Sequence, residues 1–158
     1  MITVFLNQLQ YARSGMSAGT MGYAYAVVTV AGLCGVFSAR LTRGLGEKRM
    51  IYACGGGAGA ACVLLAVTRN AALSVIGVLA LRVSYVLLQP LQTEIRNRQV
   101  PGADRATALS VQAVVISSVG AVANVAFGAA AERNLPLTFV LGAVLCGCGL
   151  LLCRGTKE

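Results

Sequence analysis

Five stretches of this sequence are long enough to cross a membrane and carry almost no charge. They are residues 14–39, 50–68, 71–91, 106–131 and 134–153, and Arg82 is the one charged side chain within them. A spanning helix requires about 20 mostly apolar residues, so each stretch predicts a span. Only 11% of the 158 residues are charged, whereas a soluble domain carries about 25%. The sequence therefore predicts an all-α, polytopic membrane helical bundle.

The spans predict a single membrane domain, residues 1–158, with short connections. The five full spans are expected at about 17–39, 50–68, 71–93, 105–130 and 135–153. The chain opens with MITVFLNQLQYARSG, and a helix over residues 1–12 reaches only about 18 Å. Because the hydrocarbon core is about 30 Å thick, we expect residues 1–12 to be the last part of a spanning helix that begins upstream.

A polar stripe runs along this partial helix. Thr3, Asn7 and Gln10 recur at spacings of four and three residues, which places them on one face. A polar face on a spanning helix is expected to contact protein or water rather than lipid. An amphipathic helix at the membrane surface is the alternative, but such helices carry cationic side chains on the polar face, and this one has none.

The basic side chains are distributed unevenly between the two sides of the predicted membrane domain. The chain has a net charge of +8. Three basic residues fall on one side, namely Arg13, Arg69 and Arg133. Nine fall on the other, namely Arg40, Arg43, Lys48, Arg49, Arg96, Arg98, Arg105, Arg154 and Lys157. The positive-inside rule places the richer side and the C-terminus in the cytoplasm. Basic loops beside spans also argue against a nucleic-acid partner, and the predicted partner is membrane lipid.

The residues that most membrane enzymes and metal sites require are missing from the predicted spans. The sequence has no histidine, and its six cysteines, which all fall within spans, form no CxxC pair. Small apolar packing is the usual role of such cysteines. We therefore predict no metal, no cofactor and no enzymatic activity.

Arg82 lies inside the apolar segment VIGVLALRVSYVLLQPL. A charge at the centre of a spanning helix costs about 2.5–3.5 kcal/mol on insertion scales, so such residues usually serve a function. Arg82, Tyr85 and Gln89 share one helix face. Glu94 is about 18 Å away along the axis and is spaced for an i,i+4 ion pair with Arg98. The counter-charge of Arg82 is thus expected to be an acid outside this chain or an anionic substrate group. The alternative is a structural arginine bonded to backbone carbonyls or water.

The segment SARLTRGLGEKRM, between the first two full spans, resembles the cytoplasmic loop motif of the major facilitator superfamily. Leu41, Gly46 and Lys48 match the leucine, the second glycine and a basic position of that motif, and Arg49 follows. Arg43 stands where the family has an aspartate. The resemblance implies that this loop contributes to gating, whereas membrane topology alone also explains its charges.

A second segment, LLQPLQTEIRNRQVPGADRATALSVQAVV, is similar to the passage between helices 10 and 11 of bacterial facilitators. Together the two resemblances imply part of helix 7 and helices 8–12, the C-terminal half of a twelve-helix transporter. The partner would then be the missing N-terminal six-helix half. The implied function is transport of a small-molecule substrate across the bacterial inner (plasma) membrane by alternating access, including proton-coupled drug or metabolite efflux. Helices 7 and 10 line the substrate pathway in that family, which implies pathway roles for their two polar stripes, and Asn124 on helix 11 is a further candidate.

A different function stays open at this stage. The chain could be a non-transporting membrane interaction module, or a truncated relic that requires a partner half, because a partial helix leaves polar groups that need burial.

Overall fold

The computed structural model describes the backbone of residues 2–99 and 105–155, and the side chains of residues 6–98 and 106–153. The described residues are helical apart from short connections. In chain order the elements are α1 (Ile2–Arg13), α2 (Ala18–Ala31), a 3-10 segment (Gly32–Phe37), α3 (Ser38–Leu45), α4 (Glu47–Val67), α5 (Ala71–Gln99), α6 (Arg105–Arg133) and α7 (Leu135–Gly155).

Five helical stretches in the described residues are long and apolar enough to cross a membrane, which confirms the predicted all-helical bundle with five full spans. They are Ala18–Leu45, Glu47–Val67, Ala71–Arg98, Ala106–Arg133 and Leu135–Cys153. The first of them combines α2, the 3-10 segment and α3 into one continuous rod. α1, with 12 residues, is shorter than a span.

Two of these stretches extend further than the apolar windows predicted. α5 continues past residue 93 to Gln99, and the rod that begins at Ala18 continues past residue 39 to Leu45. Both extensions carry arginines, which are good helix formers. The helices therefore continue beyond the ends of their apolar segments. The extensions meet the start of α4 at one end of the bundle, which we call the basic end.

The connections follow from local side-chain and backbone chemistry. Gly15 and Gly46 have φ of 73° and 87°, a left-handed region that glycine adopts without a steric penalty. The side chain of Ser17 accepts a hydrogen bond from the backbone N–H of Thr20 and caps α2. The side-chain oxygen of Asn70 accepts a bond of 2.9 Å from the backbone N–H of Ala72 at the start of α5.

α4 is the helix around which the bundle packs, with its main contacts to α5 and α7. Leu65 on α4 is fully buried, and Val78 on α5 and Phe139 on α7 complete the same apolar cluster. A methyl group added at Gly77 would lie 2.8 Å from the Leu65 side chain, so α4 and α5 approach closely there. α6 lies at the edge, and none of its apolar window is buried.

Candidate functional site

Arg82 lies close to the middle of α5, as the apolar segment predicts. It is eleven residues from the start of the helix, about 16 Å along the axis at 1.5 Å per residue. That distance is about half of a hydrocarbon core about 30 Å thick. The side chain is half-buried rather than turned outward, so the helix carries its charge within the bundle.

A small cavity of about 80 Å³ receives the Arg82 side chain. Three helices enclose it: α1 contributes Asn7, α2 contributes Tyr25 and Thr29, and α5 contributes Arg82 and Tyr85. Two valines close the apolar part of the wall. The cavity therefore brings together three residues that the sequence assigned to the substrate pathway, Asn7, Arg82 and Tyr85. Its volume admits a few water molecules or one small polar group.

The 3-10 segment lies directly against the guanidinium. A methyl group added at Gly32 would lie 3.3 Å from Nη2 and 3.7 Å from Nε of Arg82. Because residues three apart eclipse in a 3-10 helix, Gly32, Gly35 and Ser38 fall in one line. That line of small residues forms the seam between the 3-10 segment, the start of α3 and α5.

Pro90 leaves a backbone carbonyl of α5 without its usual donor beside this seam. A proline inside a helix has no N–H for the carbonyl four residues earlier, and here that carbonyl belongs to Val86. A methyl group added at Gly35 would lie 3.5 Å from this carbonyl oxygen and 2.6 Å from Cγ1 of Val86. The Ser38 hydroxyl donates a 2.6 Å hydrogen bond to the neighbouring carbonyl of Leu87. The seam thus covers the backbone that the proline disrupts.

The acids of the described residues lie away from Arg82. Glu47 and Glu94 both pair with Arg98 at the basic end, and Glu132 is exposed near the end of α6. Within the described part of the chain, the Arg82 guanidinium has no ion pair and no hydrogen bond to another residue.

Gln10 lies apart from this cavity. Its side chain is fully buried, and its amide nitrogen donates bonds of 3.1 Å to the Thr68 carbonyl oxygen and the Ser74 hydroxyl. Ser14 adds a contact of 2.8 Å between its hydroxyl and that of Ser74. Gln10 therefore connects α1 to the α4–α5 link, and this geometry assigns it to packing between helices.

The other predicted pathway residues are also placed elsewhere. Gln89 is exposed and lies in an open groove at the basic end with Thr93 and Asn97. Asn124 is half-buried on α6 and does not belong to the lining of the Arg82 cavity. The side chain of Thr3 lies outside the described residues.

At the basic end, the loop motif takes part in an ion cluster that joins two helices. Arg98 on α5 forms the predicted pair with Glu94 and a second pair, of 2.8 Å, with Glu47 at the start of α4. Arg43 contributes to the polar cleft of about 310 Å³ beside this cluster. Gly46 provides the turn, with its N–H donating to the Thr42 carbonyl at 2.9 Å. Leu41, Lys48 and Arg49 are exposed on either side of it.

No protein-family model, no curated protein and no solved structure matches this chain.

Sequence reasoning missed three residues that the structure places at these sites. Tyr25 and Thr29 line the Arg82 cavity, and they share a helix face with Gly32 at spacings of four and three. That spacing was visible in the sequence. Glu47 pairs with Arg98 across 51 positions, and no local pattern signals a contact between residues so far apart.

Proposed function

We propose that this chain forms the C-terminal six-helix half of a major facilitator superfamily transporter. In this proposal it moves a small molecule across the bacterial plasma membrane by alternating access, with the basic end in the cytoplasm. The observation that carries the proposal is the position of Arg82, near the middle of an apolar helix, where it lines a cavity between three helices together with Asn7 and Thr29. Charged residues at such depth are characteristic of substrate and ion pathways.

Two further features support movement around this cavity. The 3-10 segment opposite Arg82 lies within the long rod, between α2 and α3. A 3-10 stretch inside a helix often marks a hinge. The contacts of Arg98 with Glu47 and Glu94 bridge two helix ends at the basic end, where an ion cluster that forms in one state and breaks in the other would act as a latch. The second half would close the side on which Tyr25 and Tyr85 are each 55% exposed.

Alternating access predicts that the cavity opens to water from each side of the membrane in turn. The six native cysteines would first be replaced by alanine, and Thr29→Cys would then be reacted with a membrane-impermeant thiol reagent. Intact cells expose one side, and inside-out vesicles expose the other. We expect reaction from both sides, at rates that differ between the two preparations.

Val30→Cys is the matched control, because Val30 has the same depth on α2 and is 64% exposed but does not line the cavity. We expect it to stay unreactive from either side. Reaction of Thr29→Cys from one side alone would show a static cavity and contradict alternating access.

A further inference from the structure

The Arg82 cavity adjoins a second, larger cavity between α1 and α2. The second cavity has a volume of about 570 Å³, and both are lined by Asn7 and Tyr25. Most other residues around it are apolar or small, including Leu9, Met21 and Gly22. A compact cationic cavity and a roomier apolar one therefore meet at the same two side chains.

The charge at the polar end is unbalanced among the described residues. The groups that surround the guanidinium are neutral: the Asn7 amide, the Thr29 hydroxyl, and the phenols of Tyr25 and Tyr85. Electrostatic interactions are stronger in a partly buried cavity than in bulk water. A cation would be repelled there, and a neutral ligand could accept hydrogen bonds from the guanidinium but would leave its charge unbalanced. An anionic group would supply the missing charge and accept hydrogen bonds from the planar fork of donors.

We infer that the two cavities together bind an organic monoanion. Its anionic group pairs with Arg82, and its apolar body occupies the cavity beside Met21 and Gly22. This inference rests on the proposed transport function and names the class of substrate. The space around Arg82, about 80 Å³, holds one small anionic group such as a carboxylate, while the apolar body lies in the larger cavity. Gly32 contributes to this selection, because any side chain there would crowd the guanidinium.

Equilibrium binding to the purified full protein in lipid nanodiscs tests this inference. The probes are carbon-14-labelled benzoate, benzylamine, benzyl alcohol and acetate, which separate charge from apolar body. We expect saturable binding of benzoate, at least tenfold weaker binding of acetate, and no saturable binding of benzylamine or benzyl alcohol in the same concentration range. Arg82→Leu should weaken benzoate binding by about 10- to 100-fold, the range of a charge-assisted hydrogen bond.

A second variant tests the apolar cavity independently of the charge. A β-carbon added at Gly22 meets no atom within 4 Å, so we expect Gly22→Phe to fold and its ring to occupy the cavity that Gly22 lines. We expect it to weaken benzoate binding while leaving acetate binding unchanged. Tighter binding of benzylamine than of benzoate, absence of benzoate binding, or benzoate binding that is indifferent to Arg82→Leu would each overturn the inference.

The anion site and alternating access can fail separately in these experiments. If Thr29→Cys reacts from both sides while benzoate does not bind, alternating access stands and the substrate class is wrong. If benzoate binds through Arg82 but Thr29→Cys reacts from one side only, the anion site stands and transport by alternating access is wrong.

Discussion

Replacing Arg82 with leucine is expected to abolish transport while making membrane insertion easier. An arginine at the centre of a spanning helix costs about 2.5–3.5 kcal/mol on insertion scales, whereas leucine contributes about −0.3 to −0.6 kcal/mol. Arg82→Leu should therefore improve insertion of α5 by about 3 kcal/mol. If Arg82→Leu improves insertion but abolishes transport, the charge serves function. A purely structural arginine would not show these opposite effects.

The measurement combines a glycosylation-mapping assay of α5 insertion with uptake by cells that express the full protein. Arg82→Lys keeps the charge but loses the planar fork of donors, so we expect intermediate activity. Arg69→Leu is the matched control, because Arg69 is exposed in the link between α4 and α5 and lies outside the cavity. Full uptake by Arg82→Leu would show that the guanidinium has no role in the pathway.

Gly35→Leu is expected to cause the largest loss of stability among single substitutions in the seam. Even a methyl group at this position would lie 2.6 Å from Cγ1 of Val86, well inside van der Waals contact. Overpacking of this kind costs about 1–3 kcal/mol, and a leucine adds more atoms to the same space. The 3-10 segment would then move away from α5, and Gly32 would leave its position against Arg82.

Thermal unfolding in detergent measures this effect, and Gly19→Leu provides the control. Gly19 lies in the same rod, and a β-carbon added there meets no atom within 4 Å. Because leucine is a better helix former than glycine, the control should be neutral or stabilising. Equal melting temperatures for the two variants would contradict the close approach of the 3-10 segment and α5.

The membrane bundle itself could be predicted from the sequence, because the signal is local. Each of the five spans is a run of apolar residues whose length matches the membrane. Helix periodicity also placed Arg82 and Tyr85 on one face of α5, and both line one cavity with Asn7. Their role in a substrate pathway stays a prediction. The ends of the helices were less predictable, since arginines near Gln99 and Leu45 stabilise helix outside the hydrocarbon.

The contacts that the sequence did not specify depend on how neighbouring helices are turned. Asn7 and Gln10 belong to one polar stripe, yet Asn7 lines the Arg82 cavity and Gln10 bonds to Thr68 and Ser74. A stripe on one helix is wide enough to contact two different neighbours. Gln89 shares a face with Arg82 but lies about 10 Å further along the axis, outside the cavity and beside Pro90.

A substrate pathway around Arg82 requires the middle of α5 to face water within the membrane. Electron paramagnetic resonance of a spin label at Tyr85→Cys tests it directly in the cysteine-free protein in bilayers. Tyr85 is the middle residue of α5, and Val119 is the middle residue of α6, which also has 29 residues. Val119 is 64% exposed and lies outside the lining of the Arg82 cavity, so it serves as the control at matched helix position.

We predict that the label at position 85 collides more readily with a water-soluble nickel complex than with oxygen. The label at position 119 should show the reverse, because oxygen concentrates in the hydrocarbon. If the label collides more readily with oxygen at both positions, Tyr85 faces lipid. That result would contradict a pathway around Arg82.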